Sequence, residues 1–334
     1  KKASEVVLAN IRRTFGDRSG LIARIETFTE DSGLPLSMKN FVNYYHLDPK
    51  AIYGKFSFSR LCADAGVRED FSEPGETILT RAFCKLVAVD SRRWIRFILN
   101  VLSELSKETI AALSDMEMRM LQMFYITVFQ KAADFHSEET EQNLQLLAGS
   151  PVMMQELKEL LEMNLERIDF IDRPVCLGFD CPLDLHCTYT RDQILIAMDY
   201  MTPNNVREGV KWLPDKKVDV FFVTLNKSDK DYSPTTMYND YSINESLFHW
   251  QSQSTTADTS STGQRYINHR KMGSKVALFV REFKQDSVGA APYTHLGMAT
   301  YVKHIGSKPM NITWHLDQPI PAKYLRKTNK LVVG

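Results

Sequence analysis

The chain has 334 residues, of which 43% are hydrophobic and 25% are charged, and its acidic and basic side chains are equal in number. This length favours two domains, and the balanced charge excludes a uniformly basic nucleic-acid-binding protein. No apolar stretch reaches the about 18 residues that a membrane helix needs, so we expect no membrane contact. Five cysteines, an odd and low number, predict a reducing, cytoplasmic location without a disulfide framework.

The charge is divided unevenly along the chain. Residues 1–173 hold 22 Lys and Arg against 26 Asp and Glu, whereas residues 174–334 hold 19 against 15, with six of the eight histidines. This asymmetry indicates an anion-facing surface in the C-terminal part. Because the chain starts at Lys1 without an initiator methionine, inside a helical pattern, we expect it to be the C-terminal piece of a longer protein.

Helical periodicity runs through residues 1–172. Apolar side chains recur at helical spacing in residues 6–15, 21–28, 78–89, 94–105 and 152–168. Ser114 and Glu117 have the spacing of a capping box before an apolar helix, and Ser150-Pro151 has the sequence of a helix start. These patterns predict an all-α helical coupling domain over residues 1–172, without chemistry of its own.

The pattern changes near Asp172. Thr190 and Gln193 have capping-box spacing before a helix predicted over residues 192–201. Alternating apolar residues then predict strands over residues 218–225, 248–254, 275–283, 295–304 and 310–316. Turns and loops, rather than helices, separate most of these strands, which is typical of an antiparallel barrel or sandwich. We therefore expect an α+β chain with a β domain over residues 173–334.

The stretch from Phe248 to Tyr266 has the most unusual composition. An extended segment would place His249, Gln251 and Gln253 on one face and Trp250 and Ser252 on the other. A Ser/Thr-rich loop follows, and we expect Gly263, Arg265 and Tyr266 to begin the next strand. Amide and aromatic groups in this pattern suit a flat polar ligand such as a nucleobase. The alternative is a half-buried strand whose amides bond to neighbouring loops.

Patterns for catalysis or metal binding are weak. Cys176, Cys181, His186 and Cys187 could ligate zinc, but their spacing is not that of paired C-x2-C sites, which favours structural thiols. No G-x-x-x-x-G-K phosphate loop is present, so no ATP hydrolysis is expected of this chain. Glu282 and Lys284 form only the E-x-K half of a metal-dependent nuclease centre. We therefore predict that this chain is not an enzyme by itself.

Seven spaced segments of the second half carry a resemblance to a known family. They are Thr224–Ser228, Asp231–Thr236, Tyr238–Tyr241, Phe248–Gln253, Gly263–Ile267, Leu278–Glu282 and Gly306–Met310. In this order they resemble one bacterial family, the C-terminal domains of proteins that join a phospholipase-D-type nuclease, a superfamily-2 helicase and a target-recognition module. Those proteins are similar to ATP-dependent type IV restriction enzymes, which cut DNA with modified cytosine. The resemblance covers about residues 183–320.

The resemblance implies an SRA-like β-barrel that reads 5-methyl- or 5-hydroxymethylcytosine in duplex DNA by flipping the base. Side-chain chemistry then gives two sets of candidate residues. The modified-base pocket would draw on Tyr232, Tyr238, Tyr241, His249, Trp250, Gln251, Ser252, Gln253 and Tyr266. The DNA phosphates would contact Lys227, Lys230, Arg265, Arg270, Lys275 and Arg281.

The same resemblance implies a role in host defence against modified DNA. The partners would be double-stranded DNA, the helicase and nuclease domains of the same parent chain, and a second protomer in a homodimer. ATP and Mg²⁺ would serve the parent protein, and no cofactor is expected in this chain. Two alternatives remain open: a metal-dependent nuclease that uses Glu282 and Lys284, and a protein-interaction module of a helicase.

Overall fold

The computed structural model describes residues 17–226 and 239–328. These residues form two compact units. The first contains residues 17–109, 124–169 and 287–289, and the second contains residues 110–123, 170–226, 239–286 and 290–328. The chain is α+β, with a helical region followed by a sheet-containing region. The predicted domain boundary between residues 172 and 173 stays a prediction.

Ten helices in the described residues precede the sheet. They are α1 (Arg18–Ser32), α2 (Met38–Tyr44), α3 (Lys50–Tyr53), α4 (Phe58–Asp64), α5 (Glu76–Leu86), α6 (Arg92–Ser103), α7 (Lys107–Ala111), α8 (Asp115–Phe129), α9 (Glu138–Ala148) and α10 (Pro151–Arg167). The capping box predicted at Ser114 is confirmed: the Ser114 N–H donates to Glu117 Oε1 over 3.1 Å, and the Glu117 N–H donates to Ser114 Oγ over 3.2 Å. Local sequence therefore sets this helix start.

Helix α10 is the centre of the first unit and packs against α2, α4, α5 and α6. Its apolar stripe of Leu157, Leu160 and Leu161 is fully buried, as its helical spacing predicts. Glu156 on the same helix is also buried, and it accepts hydrogen bonds from the backbone N–H groups of Phe58 (2.8 Å) and Ser59 (2.6 Å). Because these donors lie at the start of α4, the carboxylate stabilises that helix end as well as the packing.

The second unit is built on an eight-stranded sheet with three helices that follow its first strand. The strands are β1 (Thr188–Tyr189), β2 (Val210–Leu213), β3 (Val218–Asn226), β4 (Tyr241–Ser242), β5 (Leu247–Gln251), β6 (Lys275–Phe283), β9 (Tyr293–Ile305) and β10 (Asn311–Leu316), while β7 (Gln285–Asp286) and β8 (Gly289–Ala290) form a separate hairpin. The helices are α11 (Arg191–Ala197), α12 (Ser261–Asn268) and α13 (Ala322–Thr328). The capping box predicted at Thr190 and Gln193 is present at the start of α11.

The sheet corrects the expected antiparallel barrel. Its strand order is β2-β3-β6-β9-β10-β5-β4, with β1 paired to β9, and within the described residues no pairing joins the two end strands β2 and β4. Strands β3 and β6 pair in parallel, so the sheet is mixed. The physical reason is the long connection through β4, β5 and α12, which lets the chain return in the same direction before β6 begins.

One face of the sheet carries the main core of this unit. Trp250, Trp314, Leu278 and Val280 lie in one apolar cluster with side chains from α12. Strand β3 is buried without interruption from Val218 to Val223. All six residues of this run are buried, including the charged Asp219, so both sheet faces are covered along this part of β3.

Candidate nucleic-acid interface

Strand β5 shows the alternation that its sequence predicts. Phe248 and Trp250 are buried, whereas Leu247, His249 and Gln251 are only half-buried. The indole of Trp250 stacks on Phe221 with ring centroids 4.3 Å apart and an interplanar angle of 29°. The Trp250 face of the strand therefore belongs to the core, and the His249 face is the one that remains accessible.

Two rungs of paired residues extend this accessible face across four strands. In the first rung, Tyr241 on β4 pairs with His249 on β5, and His249 pairs with Thr313 on β10, which pairs with Lys303 on β9. In the second rung, Gln251 pairs with Asn311, and Asn311 pairs with Ile305. Since paired residues point to the same side of a sheet, these side chains share one face. We call these seven residues the open sheet face.

The exposure of the open sheet face grows toward β9. Tyr241, His249, Gln251 and Asn311 are half-buried, and Thr313 is 9% exposed. Lys303 and Ile305 are exposed, with 73% of Ile305 accessible. The exposed end of this face therefore carries one cation and one apolar side chain.

Tyr241 and His249 form a flat aromatic platform on this face. Their rings are stacked, with centroids 4.8 Å apart and an interplanar angle of 15°. The Nδ1 atom of His249 lies 2.7 Å from the backbone carbonyl oxygen of Asn239, which fixes the orientation of the imidazole. Because the two rings cover each other's inner faces, a nucleobase can stack only on an outer face of the pair.

Gln251 and Asn311 form a carboxamide pair beside the platform. Nε2 of Gln251 donates to Oδ1 of Asn311 over 3.2 Å, and the Gln251 backbone N–H donates to Oδ1 of Asp240 over 2.9 Å. Among the described residues, the Gln251 Oε1 acceptor and the Asn311 Nδ2 donor have no other protein partner. The pair therefore offers one acceptor and one donor, which is the pattern that reads the polar edge of a base.

Three of the candidate pocket residues lie in the interior. Trp250 and Tyr266 belong to the core cluster, and Ser252 is 7% exposed. Ser252 Oγ accepts from the backbone N–H of Met310 over 2.8 Å and donates to the Gln253 carbonyl oxygen over 3.1 Å. Their burial gives these side chains a packing role in this conformation.

Gln253 links the end of β5 to α12. Its Nε2 donates to the Tyr266 hydroxyl over 3.2 Å, and its Oε1 accepts from Thr256 Oγ1 over 3.1 Å. Burial raises the pKa of Tyr266 to about 12, so this hydroxyl stays neutral and keeps its proton for hydrogen bonding. Gln253 is exposed and lies beyond the end of β5, but both ends of its amide are hydrogen-bonded within the protein, as the alternative of amides bonded to neighbouring loops predicts.

The residues expected to begin a strand after the Ser/Thr-rich loop form a helix instead. Gly263, Arg265 and Tyr266 lie in α12, and Ser260 caps its start by accepting a hydrogen bond from the Gly263 N–H over 3.0 Å. The strand prediction was wrong because Tyr266 turns toward the core with helical spacing from Gly263, and both are buried. The Ser260 cap was the sequence signal for this helix.

The candidate phosphate contacts fall into different environments. Arg265 forms a bidentate ion pair with buried Asp219, with N···O distances of 2.8 and 2.9 Å. Arg270 is exposed, whereas the Lys275 ammonium donates to the Cys176 carbonyl oxygen over 3.2 Å. Arg281 is half-buried and donates to the Thr224 hydroxyl over 2.9 Å. Four candidates lie outside the described residues: Lys227, Lys230, Tyr232 and Tyr238.

The zinc alternative finds no support in the part of the chain that the structure describes. Within it, no group of three or more His, Cys, Asp or Glu side chains is placed to hold a metal ion. Cys176 is exposed, Cys181 and Cys187 are buried, and none of the three forms a disulfide bond. Cys181 Sγ lies 3.7 Å from the carbonyl oxygen of Ala197, in hydrogen-bonding geometry. These contacts fit thiols with a packing role.

Sequence reasoning missed several members of the open sheet face. Asn311, Thr313, Lys303 and Ile305 join it only through the register of β10 with β5 and β9. The alternation in residues 310–316 was a signal that Asn311 and Thr313 share a side, but alternation does not say which strands are neighbours. Long-range pairing therefore builds the site.

One part of the chain matches a known protein family. Residues 183–327 match the family described as a domain of unknown function (DUF3427). This range takes in the strands of the open sheet face as well as α11 and α12. No curated protein matches the chain. No helix in the described ranges combines the length and apolar character needed to cross a membrane.

Proposed function

We propose that this chain is the target-recognition part of an ATP-dependent type IV restriction endonuclease, and that it reads 5-methyl- or 5-hydroxymethylcytosine in duplex DNA. The observation that carries the proposal is the open sheet face, where a stacked Tyr241–His249 platform adjoins the Gln251–Asn311 pair. Stacking and paired donor–acceptor groups are the two interactions with which proteins hold a base outside the duplex.

The energetics of the face favour a nucleic-acid ligand. Each base stacked on an aromatic side chain contributes about 1–3 kcal/mol, and a well-placed bidentate contact contributes a similar amount of discrimination. Lys303 lies on the same rung as His249 and supplies a cation for a neighbouring phosphate. The face thus combines base stacking, edge recognition and charge within two rungs of the sheet.

The proposal includes the SRA-like character of the domain and a flipped base. The matched family range, 183–327, agrees closely with the span of about residues 183–320 over which the sequence resembles these restriction proteins. The first unit would couple recognition to the helicase and nuclease of a longer parent chain. ATP and Mg²⁺ would act in those parts of the parent.

A pair of alanine variants tests the location of the site. Gln251→Ala and Asn311→Ala each remove half of the carboxamide pair without touching the core cluster. We expect each variant to bind duplex containing 5-methylcytosine at least about tenfold more weakly, which corresponds to about 1.4 kcal/mol. Fluorescence anisotropy at near-physiological salt measures the affinity, and urea unfolding shows that the variants keep their stability.

Gln264→Ala is the matched control, because Gln264 is an exposed glutamine on α12, the helix that packs on the opposite, core face of the sheet. It should bind like the unsubstituted chain. Trp250→Ala should instead lower the free energy of unfolding by about 3–5 kcal/mol, because it empties a core position. Folded Gln251→Ala and Asn311→Ala proteins with unchanged affinity would place recognition elsewhere.

A further inference from the structure

Two arginines converge on Tyr293, at the end of β9 opposite to the open sheet face. Arg281 on β6 places its guanidinium carbon 4.4 Å from the centroid of the Tyr293 ring. Arg191, the first residue of α11, donates from Nη2 to the Tyr293 hydroxyl over 3.2 Å. Its guanidinium carbon lies 6.0 Å from the same ring centroid and 4.4 Å from that of Phe222. We call Arg191, Arg281 and Tyr293 the arginine pair site.

Among the described residues, the two guanidinium groups donate hydrogen bonds only to neutral oxygens. Arg281 donates from Nε to the Thr224 hydroxyl over 2.9 Å and from Nη1 to the Ala291 carbonyl over 3.0 Å. Arg191 donates from Nη1 to the backbone carbonyl of Glu208 over 2.7 Å. Within residues 17–226 and 239–328, Nη2 of Arg281 and Nε of Arg191 have no hydrogen-bond partner. The site therefore retains two N–H-bearing groups for a ligand.

Neither guanidinium is in an ion pair among the described residues, because no Asp or Glu oxygen there lies within ion-pairing distance of it. The exposed Glu208 carboxylate interacts with Arg191 only at longer range: backbone hydrogen bonds lower the pKa of Glu208 most, and the charges of Lys211 and Arg191 add to this. Both arginines are half-buried. Burial lowers the pKa of Arg281, and the neighbouring Arg191 charge acts in the same direction, although Tyr293 opposes them. Two like charges that are partly removed from water are costly unless an anion joins them.

We propose that the arginine pair site binds one phosphate group. Guanidinium groups bind phosphate oxygens through parallel N–H donors, and the rings of Tyr293 and Phe222 hold both groups in fixed orientations. Arg281 was a candidate phosphate contact from sequence, but Arg191 was not. The structure adds Arg191 because α11 brings it to the same tyrosine.

This site is distinct from the open sheet face. Arg281 follows Val280, which pairs with Thr294 near the start of β9, whereas Thr313 pairs with Lys303 near the end of that strand. Ten residues of strand, Tyr293 to Lys303, separate the two places by about 30 Å. One base pocket cannot include both, but one duplex can contact both. Only the identification of DNA as the source of the phosphate rests on the proposed function.

Thermal unfolding with inorganic phosphate tests the site without DNA. Phosphate is compared with chloride at equal ionic strength, for the unsubstituted chain and for Arg191→Gln and Arg281→Gln. At about ten times its dissociation constant, phosphate should raise the unfolding midpoint by about 2 °C more than chloride. Both variants should lose this shift, whereas Arg270→Gln, which changes an exposed arginine outside the site, should keep it.

Arg281→Lys keeps the positive charge, so it still tests the site if the glutamine variants do not fold. It should fold and bind phosphate more weakly, because lysine lacks the planar donor fork. The proposal is overturned if phosphate gives no shift beyond chloride, or if both glutamine variants fold and retain the shift.

Duplex binding identifies the source of the phosphate. If DNA supplies it, inorganic phosphate competes with the duplex, and Arg281→Gln lowers the slope of log affinity against log salt by about one. If the phosphate shift is present but duplex affinity is unaffected by phosphate and by both variants, the site holds a free phosphate or a small phosphorylated molecule. If no duplex binds at all, the proposed DNA-reading function fails while the phosphate site stands.

Discussion

Asp219 and Arg265 form the ion pair that joins β3 to α12. Asp219 is completely buried, and both of its carboxylate oxygens accept from the Arg265 guanidinium, which also lies over the Trp212 ring at 4.5 Å. Burial raises the pKa of Asp219, and the hydrogen bonds and charge of Arg265 oppose this rise. Arg265 therefore offsets the cost of burying the carboxylate.

Arg265→Gln should destabilise the chain in a pH-dependent way. Without the guanidinium, the pKa of Asp219 rises further, so the folded state must keep an ionised, unpaired carboxylate or bind a proton. We expect a loss of about 3–5 kcal/mol at pH 7 that shrinks as pH falls toward 4 and Asp219 becomes protonated. Urea unfolding of Arg265→Gln and of the unsubstituted chain between pH 4 and pH 7 measures this loss of stability.

The double variant Asp219→Asn/Arg265→Gln is the control. It has no buried carboxylate, so it should be more stable than Arg265→Gln at pH 7 and should lack the added pH dependence. If Arg265→Gln loses as much stability at pH 4 as at pH 7, the unpaired Asp219 carboxylate is not the cause of the loss.

At the residue scale, the sequence predicted which side chains share a side of a strand, but not their partners or roles. Alternation correctly separated Trp250 from His249, but it could not say which side of β5 faces the core. Arg265 was grouped with the DNA contacts because nothing in the sequence links it to Asp219, 46 positions away. Burial and long-range pairing decide the role of each side chain, and neither is a local property.

At the element scale, α12 depends on one close approach of backbone to backbone. Gly263 is buried in its first turn, where the Ser260 cap holds the preceding loop against the helix. A Cβ atom at Gly263 would overlap the Ala257 carbonyl oxygen and would lie 3.0 Å from the Asp258 Cα. Because backbone atoms cannot rotate away as a side chain can, only glycine fits this position without moving the loop.

Gly263→Ala should therefore lower the free energy of unfolding by about 1–3 kcal/mol, through overpacking against the loop. Ser261 is exposed at the first position of the same helix, so Ser261→Ala should change the free energy of unfolding by less than about 0.5 kcal/mol. Chemical unfolding of both variants makes the comparison. Equal stabilities for the two would mean that the loop moves aside at no cost.

Elements with strong periodicity could be predicted, whereas their arrangement could not. Strand β6 has the predicted bounds, 275–283, and β3 extends the prediction by one residue to Asn226. Strand β5 ends at Gln251, before the predicted 254. The Ser252 N–H still donates to the Met310 carbonyl oxygen, but the Met310 N–H donates to the Ser252 hydroxyl, and Pro309 beyond it has no N–H to continue the ladder. The parallel pairing of β3 with β6 was missed, since alternation is the same in either direction.

At the scale of the whole molecule, one buried and one half-buried histidine tie stability to pH. His295 is completely buried and stacks on Phe279 with centroids 4.3 Å apart at 9°. Burial lowers the pKa of His295 to about 3 and that of His186 to about 4. Both imidazoles are therefore neutral in the folded chain under conditions where an unfolded chain, with a histidine pKa of about 6.5, takes up protons.

The free energy of unfolding should fall as pH drops below about 6.5. The stabilising contribution is complete above that value and is lost as pH falls toward the folded pKa, with about 2 kcal/mol lost by pH 5 for His295. His295→Phe keeps a flat ring against Phe279 and removes the titration, so its stability should depend less on pH between 6.5 and 5. If the free energy of unfolding of His295→Phe falls with pH as steeply as that of the unsubstituted chain, a group other than His295 causes the pH dependence.

The α+β composition of the whole chain followed from its sequence, because the change from helical spacing to alternation near Asp172 is a strong signal. The open, mixed sheet did not follow, because strand order and closure depend on contacts between distant segments. The candidate site was predicted in part: His249 and Gln251 lie on one accessible face with Tyr241, while Asn311 and Lys303 needed the strand register.

A titration of two matched DNA duplexes tests the central claim most directly. One duplex carries 5-methylcytosine at CG and CNG sites, the other carries cytosine at the same positions, and both are titrated with the chain in gel shifts at near-physiological salt. The proposed reader should prefer the modified duplex by at least about tenfold, or about 1.4 kcal/mol. Equal affinity for both duplexes, or no binding to either, would contradict the claim that this chain recognises modified cytosine.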